Sequence, residues 1–198
     1  MKYINQCDYE HIPYRTNVLR QDFTPEQKMK SVAKSGCGPC SICMMVELLT
    51  DTSLSVEDCV KIAEESVANH SVGTDIKILG PVIAKKFNLE YKQSNNLEDA
   101  IEHLKLGGKI VVHVGVPVGA EIGLFTRGGH YMLIDSTDGK DFCILDPDYS
   151  AEKYSLPQRV GRVDISHAPY LYCNVNVVHS ETKPGENYVK YHMFARKR

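Results

Sequence analysis

Apolar residues recur at helical spacing through the first half of the chain. The longest such run extends from Cys37 to about Leu49 and predicts an apolar helix. Further helices are expected wherever a Ser, Thr, Asp or Asn residue that can cap a helix stands before a periodic segment. By this criterion they follow Thr24, Ser55, Asp75 and Asn96, and the last ends at Gly107-Gly108. The first half is therefore predicted to be helical.

Beyond residue 108 the pattern changes to short runs of β-branched and aromatic residues, which predict strands. The runs lie at 109–116, 131–134, 142–145, 170–178 and 188–194, and Asp138-Gly139 marks a tight turn between the second and third. The segment between residues 148 and 168 is long and polar and is expected to be a surface loop that shapes a cleft. Because helices precede strands, the order indicates an α+β fold with an antiparallel sheet. We expect one domain over residues 1–198, with a helical part over about 1–108 and a sheet part over about 109–198.

Composition narrows the classes of function. The chain has 198 residues, of which 42% are hydrophobic and 24% charged, as in globular proteins with a sizeable core. A net charge of −2 and a pI near 6.4 argue against a surface for nucleic acid or for anionic membranes. Neither a signal peptide nor a membrane-spanning run stands in the sequence. We expect a cytoplasmic protein, or a secreted one if a signal has been lost. The sequence predicts no oligomeric state.

One cysteine has a distinctive setting. Cys37 lies in Ser35-Gly36-Cys37-Gly38-Pro39, where the longest predicted helix begins. The unpaired N–H groups and the positive end of the helix dipole favour a thiolate there, and the flanking glycines allow another chain to approach the sulfur. The seven cysteines are odd in number, so a disulfide framework is not expected. These features make Cys37 a candidate nucleophile.

A cysteine nucleophile needs a base, and the base needs a group that orients it. Of the eight histidines, His130 is the best candidate, because it follows Gly128-Gly129 and opens a predicted strand. If Asp138-Gly139 forms the centre of the turn, His130 faces position 147, and a small change in turn length places Asp146 directly opposite. Facing residues on paired strands have Cβ atoms about 4.5–5.5 Å apart, which suits an imidazole–carboxylate hydrogen bond. His113 alternates with valines and is either a core residue or one that faces a cleft.

Taken together, these segments resemble the papain-like cysteine peptidases related to the double-glycine leader (bacteriocin-processing) peptidases. The similar motifs are Gly36-Cys37-Gly38-Pro39, the segment 125–131 with Gly129-His130, and Leu145-Asp146-Pro147. They keep their order and spacing over roughly residues 3–148. Cys40 stands where relatives usually carry Thr.

The resemblance implies a papain-like fold, in which the helix of the nucleophile packs on an antiparallel sheet, and it implies cleavage of a peptide or protein substrate. It gives Cys37 the role of nucleophile, His130 that of base and then acid, and Asp146 that of orienting residue. The oxyanion hole would combine the Cys37 backbone N–H with an upstream glutamine. Gln6 fits this role better than Gln21 or Gln27. No cofactor and no metal are implied.

Three alternatives stay open. A metal could use the spacing of Cys37, Cys40 and Cys43, although residues three apart on a helix are rotated by about 300° and so diverge. The same Cys–His–Asp set could instead transfer the acyl group to an amine. The chain could also be a catalytically idle module that binds peptides.

Overall fold

Six antiparallel strands form the main sheet of the protein, in the order β3-β8-β4-β5-β6-β7. The computed structural model describes residues 2–197. The sheet strands are β3 (Leu89–Ser94), β4 (Lys109–Val114), β5 (His130–Thr137), β6 (Asp141–Leu145), β7 (Tyr170–Asn174) and β8 (Tyr191–Arg196). A separate small hairpin pairs β1 (Pro13–Arg15) with β2 (Met29–Ser31).

Four of the six helices in the first half begin directly after the capping residue that predicted them. The six are α1 (Pro25–Lys28), α2 (Val32–Ser35), α3 (Cys37–Leu49), α4 (Val56–Glu65), α5 (Ile76–Lys86) and α6 (Leu97–Lys105). The side chains of Thr24, Ser55, Asp75 and Asn96 each accept a hydrogen bond from a backbone N–H of the first turn. These caps satisfy donors that the helix itself leaves unpaired, which explains why the starts were predictable.

Three predictions about the second half need correction. The run 170–178 is a strand only as far as Asn174, whose side chain caps a helix, α8 (Val175–Ser180). The segment 148–168 is not all loop, because Ser150 caps a short helix, α7 (Ala151–Ser155). Strand β3 lies before residue 108, so the sheet is not confined to the part beyond that boundary. The single domain over 1–198 stays a prediction.

Apolar residues on both faces of the sheet are buried. On β4, Val111 packs with α3, α4 and α5, whereas its neighbours Ile110 and Val112 pack on the opposite face, where α6 and α8 lie. Successive side chains of a strand point to opposite faces, so an unbroken apolar run is what a sheet covered on both sides requires. Helix α3 lies against β4 and β5, and its Met44 and Met45 are fully buried.

The N-terminal segment is held beside the end of β6. The backbone N–H of Gln6, in a 3-10 turn over Gln6–Tyr9, donates to the carbonyl of Pro147 at 2.7 Å. The Tyr3 hydroxyl donates to the carbonyl of Asp146 at 2.5 Å. These contacts bring residues that are far apart in the chain together at the end of β6. Within residues 2–197, none of the helices has the length and hydropathy needed to cross a bilayer.

Candidate active site

The start of α3 lies under the loop that precedes α5. Gly36 caps the helix and Cys37 is its first residue, with a half-buried side chain. A Cβ at Gly38 would lie 2.8 Å from the Cβ of Thr74, so only glycine allows this close packing. Thr74 is itself fixed by the Tyr14 hydroxyl at 2.6 Å. The glycine after the cysteine thus positions a loop beside the sulfur.

The Cys37 sulfur lies close to the His130 ring and to the backbone of Tyr131 and Gly38. Burial by itself raises the pKa of the Cys37 thiol, but the interactions with these neighbours, those with His130 first, outweigh burial, and the pKa lies below its usual value. The site therefore favours a thiolate at Cys37.

His130 lies between this sulfur and a buried carboxylate. Its Nε2 is 2.7 Å from Oδ1 of Asp146, whose side chain is completely buried. Burial lowers the pKa of His130, but the charge and hydrogen bond of Asp146, together with the interaction with Cys37, outweigh burial and raise the pKa to about 9. Since Nε2 is used by the carboxylate, Nδ1 is the ring nitrogen left for the sulfur. A thiolate and an imidazolium can thus coexist at neutral pH.

The strand register differs from the predicted one. A bulge lies between Ile134 and Ser136, and beyond it Leu133 pairs with Leu145. Continuing this register places Asp146 opposite Met132, so His130 and Asp146 are diagonal neighbours on the same face rather than directly opposite. Diagonal positions are about 7–8 Å apart, a gap that the long imidazole side chain spans. His130 and Asp146 are paired as predicted, but they occupy diagonal positions and not the directly facing ones that the turn was expected to produce.

Asp146 also binds two residues that sequence reasoning missed. Its Oδ2 accepts a hydrogen bond from Lys153 Nζ at 2.7 Å and another from the Tyr154 hydroxyl at 2.6 Å. Its Oδ1 accepts a third bond from the backbone N–H of Asp148 at 2.9 Å. Burial raises the pKa of the Asp146 carboxyl, but the charges of Lys153 and His130 overcome this and hold the pKa far below its usual range. Both new residues belong to α7, and the capping position of Ser150 was the available signal.

Gln6 lies against the segment that leads into Cys37. Its Nε2 donates to the carbonyl of Ala33 at 2.9 Å, and its buried Oε1 has no partner among the described residues. The other two candidates are exposed, and Gln27 uses its side chain to close the capping box of α1 with Thr24. Of the three glutamines, Gln6 alone is bonded both to the stretch before Cys37 and to the stretch after Asp146.

The neighbouring cysteines of α3 have a different environment. Cys40 and Cys43 are buried in the core beneath the helix. Burial raises the pKa of the Cys40 thiol, and the pKa of the Cys43 thiol is raised by its hydrogen bond with Cys59 and by burial. Within residues 2–197, no group of three or more His, Cys, Asp or Glu side chains is arranged to hold a metal ion.

Comparison with known proteins shows a solved structure with a similar fold. No protein-family model matches this chain, and no curated protein is similar to it in sequence. Among solved structures, it is similar to a candidate C39-like peptidase from Bacillus anthracis, with a TM-score of 0.54 and 13% identity over 100% of this chain and 99% of that chain. The two chains share one fold. The C39-like fold has the mixed helices and antiparallel sheet described above, and at this identity the likeness concerns the fold alone.

Proposed function

We propose that this chain is a cysteine peptidase that cleaves a peptide bond through a thioester on Cys37. The observation that carries the proposal is the chain of contacts from the Cys37 sulfur to the His130 ring and on to Asp146. These contacts supply a nucleophile, a residue that carries the proton and a group that orients that residue. The motif order and the C39-like fold support membership of the papain-like peptidases related to the bacteriocin-processing group.

The chemistry follows from which atoms carry protons. The Cys37 thiolate attacks the scissile carbonyl, and the backbone N–H of Cys37 with the Gln6 amide stabilises the oxyanion. The His130 imidazolium, held by Asp146, gives its proton to the leaving amine as the C–N bond breaks. Neutral His130 then takes a proton from water, which attacks the thioester and releases the acid. If an amine replaces water at this step, the same residues transfer the acyl group.

Selective alkylation tests the ion pair directly. At pH 6, iodoacetamide is expected to label Cys37 before the other six cysteines, because its lowered pKa leaves a larger fraction of the sulfur ionised than in ordinary thiols. Peptide mapping by mass spectrometry after short exposure measures the label at each site. The urea-unfolded chain is the control, and there all cysteines should react at similar rates. Equal labelling of the folded protein, or a spared Cys37, would contradict the proposal.

Peptide cleavage tests the activity itself. A library of peptides is incubated with the protein, and the products are identified by mass spectrometry, with protein alkylated at Cys37 as the blank. Cleavage that disappears on alkylation supports a peptidase. An added amine that appears in the products would identify acyl transfer instead. Selective labelling of Cys37 without any turnover would favour a module that only binds peptides.

Gln6 is expected to contribute to the oxyanion hole. Its amide has one N–H on the Ala33 carbonyl, which leaves the second available for a negatively charged oxygen. Gln6→Ala should lower kcat by about a hundredfold, the loss typical of one oxyanion donor, while alkylation of Cys37 at pH 6 stays unchanged. Gln27→Ala, which removes only a helix cap, is the matched control. An unchanged kcat in Gln6→Ala would exclude the role.

A further inference from the structure

A group of aromatic and basic side chains lies beside His130 on the side away from Asp146. His113, on β4, pairs in register with Tyr131, and the two rings stack with centroids 4.3 Å apart. The Tyr188 ring meets the His113 ring edge-on at 5.5 Å. Tyr188 is exposed and His113 is half-buried, so these rings form a surface next to the candidate nucleophile and base.

The segment over residues 183–190 is fixed on this surface by main-chain bonds. The Lys183 N–H donates to the His113 carbonyl at 2.8 Å, and the His113 N–H donates to the Lys190 carbonyl at 2.9 Å. The Lys183 ammonium lies over the Tyr188 ring, 5.5 Å from its centroid. The Lys183 side chain is therefore restricted at its base by the main-chain hydrogen bond and at its ammonium end by the Tyr188 ring.

Gly129 leaves an open position close to the imidazole of His113 and the ammonium of Lys183. A Cβ built on Gly129 would be 3.5 Å from His113 Nε2 and 4.0 Å from Lys183 Nζ. No Cβ occupies that position, and Gly129 directly precedes His130. A substrate side chain that enters here would meet an ammonium and an imidazole next to the scissile bond.

The charged groups that act on the His113 ring are all positive. Lys77, at the start of α5, donates to the carbonyl of Asn187 at 3.3 Å and so contacts the segment over residues 183–190. Burial lowers the pKa of His113 to about 3, and the positive charges of Lys183, His130 and Lys77 add to that effect. In the part of the chain the structure describes, Lys77 and Lys183 form no ion pair, and Asp75, the capping residue of α5, binds His70 at 3.1 Å. Glu186 shares the segment but is exposed and makes no such pair.

We propose that Lys77, His113, Lys183 and Tyr188 form a cationic subsite that binds the carboxylate of an acidic substrate residue close to the scissile bond. The inference rests on the proposed peptidase function, for which it names the class of substrate. A carboxylate placed here supplies the negative partner that both lysines lack, and His113, which is neutral at pH 7, can donate one further hydrogen bond. The aromatic ring of Tyr188 restricts the Lys183 side chain, so less of its freedom is lost on binding.

The experiment uses thiol probes that react once and need no turnover. Acetyl-Glu-Gly chloromethyl ketone carries a carboxylate on one side of the reacting carbon, and chloroacetyl-Gly-Glu amide carries it on the other. The neutral analogue of each probe has Gln in place of Glu. In one of the two sets, Glu should react with Cys37 about tenfold faster than Gln, as expected for one carboxylate near two ammonium groups at a protein surface. Lys183→Met and Lys77→Met should bring this ratio towards one, and added salt should lower it. Lys85→Met, an exposed lysine at the other end of α5, is the matched control.

The outcomes separate the subsite from the proposed function. A ratio near one in both sets, with Cys37 alkylated normally, overturns the subsite and leaves the peptidase proposal intact. A ratio that persists in the Lys183→Met and Lys77→Met double variant overturns the assignment to these residues. If Cys37 reacts with none of the probes and not with iodoacetamide, both proposals fail.

Discussion

Replacement of Cys37 by alanine is expected to abolish peptide cleavage, with kcat/KM reduced by at least about ten-thousandfold, the scale seen when a nucleophile that acts with a base is removed. Of the two thiols in the first turn of α3, the Cys37 thiol is half-buried with a lowered pKa, whereas the Cys40 thiol is fully buried with a raised pKa and cannot replace it. Kinetics on a peptide identified as a substrate, at equal concentrations of folded protein, measure the loss.

Two further variants show whether the loss concerns chemistry rather than folding. Cys37→Ser keeps the shape of the side chain, but a hydroxyl is not ionised by an imidazole as a thiol is, so this variant should also be inactive. Cys7→Ala removes an exposed thiol that contacts the Asp148 carboxylate and should keep full activity. The thermal midpoint of Cys37→Ala should stay close to that of the parent because the side chain is half-buried. Residual cleavage of a few per cent in Cys37→Ala would show that another group is the nucleophile.

The positions of Cys37 at a helix start and of His130 at a strand start were predictable because the signals for both are local. A helix start can be identified from its cap, its glycines and the apolar run behind it, and α3 begins at the cysteine as predicted. His130 opens β5, as its position after two glycines indicated. Local signals of this kind depend only on neighbouring residues, so a single sequence contains them in full.

Contacts between distant segments could not be predicted in the same way. The pairing of His130 with Asp146 depends on a bulge near Ile134, and no residue type in the turn requires that irregularity. Strand β3 pairs only with β8, which is about one hundred residues later in the chain, so β3 carries no turn signal of its own. The end of β7 at Asn174 was missed because Val175, Val177 and Val178 suit a strand, whereas the Asn174 cap and tertiary packing favour a helix.

The interaction of Lys153 with Asp146 is the strongest feature of the site that the sequence did not suggest. Lys153→Met is expected to lower the free energy of unfolding by about 3 kcal/mol, because it leaves a buried carboxylate with one charged partner fewer. The lysine side chain is 10% exposed and Asp146 is 0% exposed, so solvent screens the pair little. Urea unfolding at neutral pH measures the change. Lys85→Met, in an exposed position, should have almost no effect, and Lys153→Arg should restore part of the stability.

The pH dependence distinguishes electrostatic tuning from simple packing. Asp146 has a folded pKa below its ordinary 3.8, so its contribution to stability is present above that value and is lost as pH falls. His130 has a folded pKa of about 9, above its ordinary 6.5, so its contribution is complete below 6.5 and is lost as pH rises through 9. Without the Lys153 charge, the pKa of Asp146 should rise and that of His130 should rise further. Acid unfolding should then begin at a higher pH.

The same substitution should move the alkaline limit of catalysis. In the proposed mechanism the imidazolium protonates the leaving amine, so cleavage in the parent should decline as pH passes through about 9. In Lys153→Met, a higher pKa of His130 should move this decline to higher pH even if kcat at neutral pH falls. Profiles of kcat/KM against pH for Lys153→Met, Lys153→Arg and Lys85→Met measure the shift. If Lys153→Met is less stable but keeps both the acid and the alkaline limits of the parent, Lys153 only packs against Asp146 and does not tune its charge.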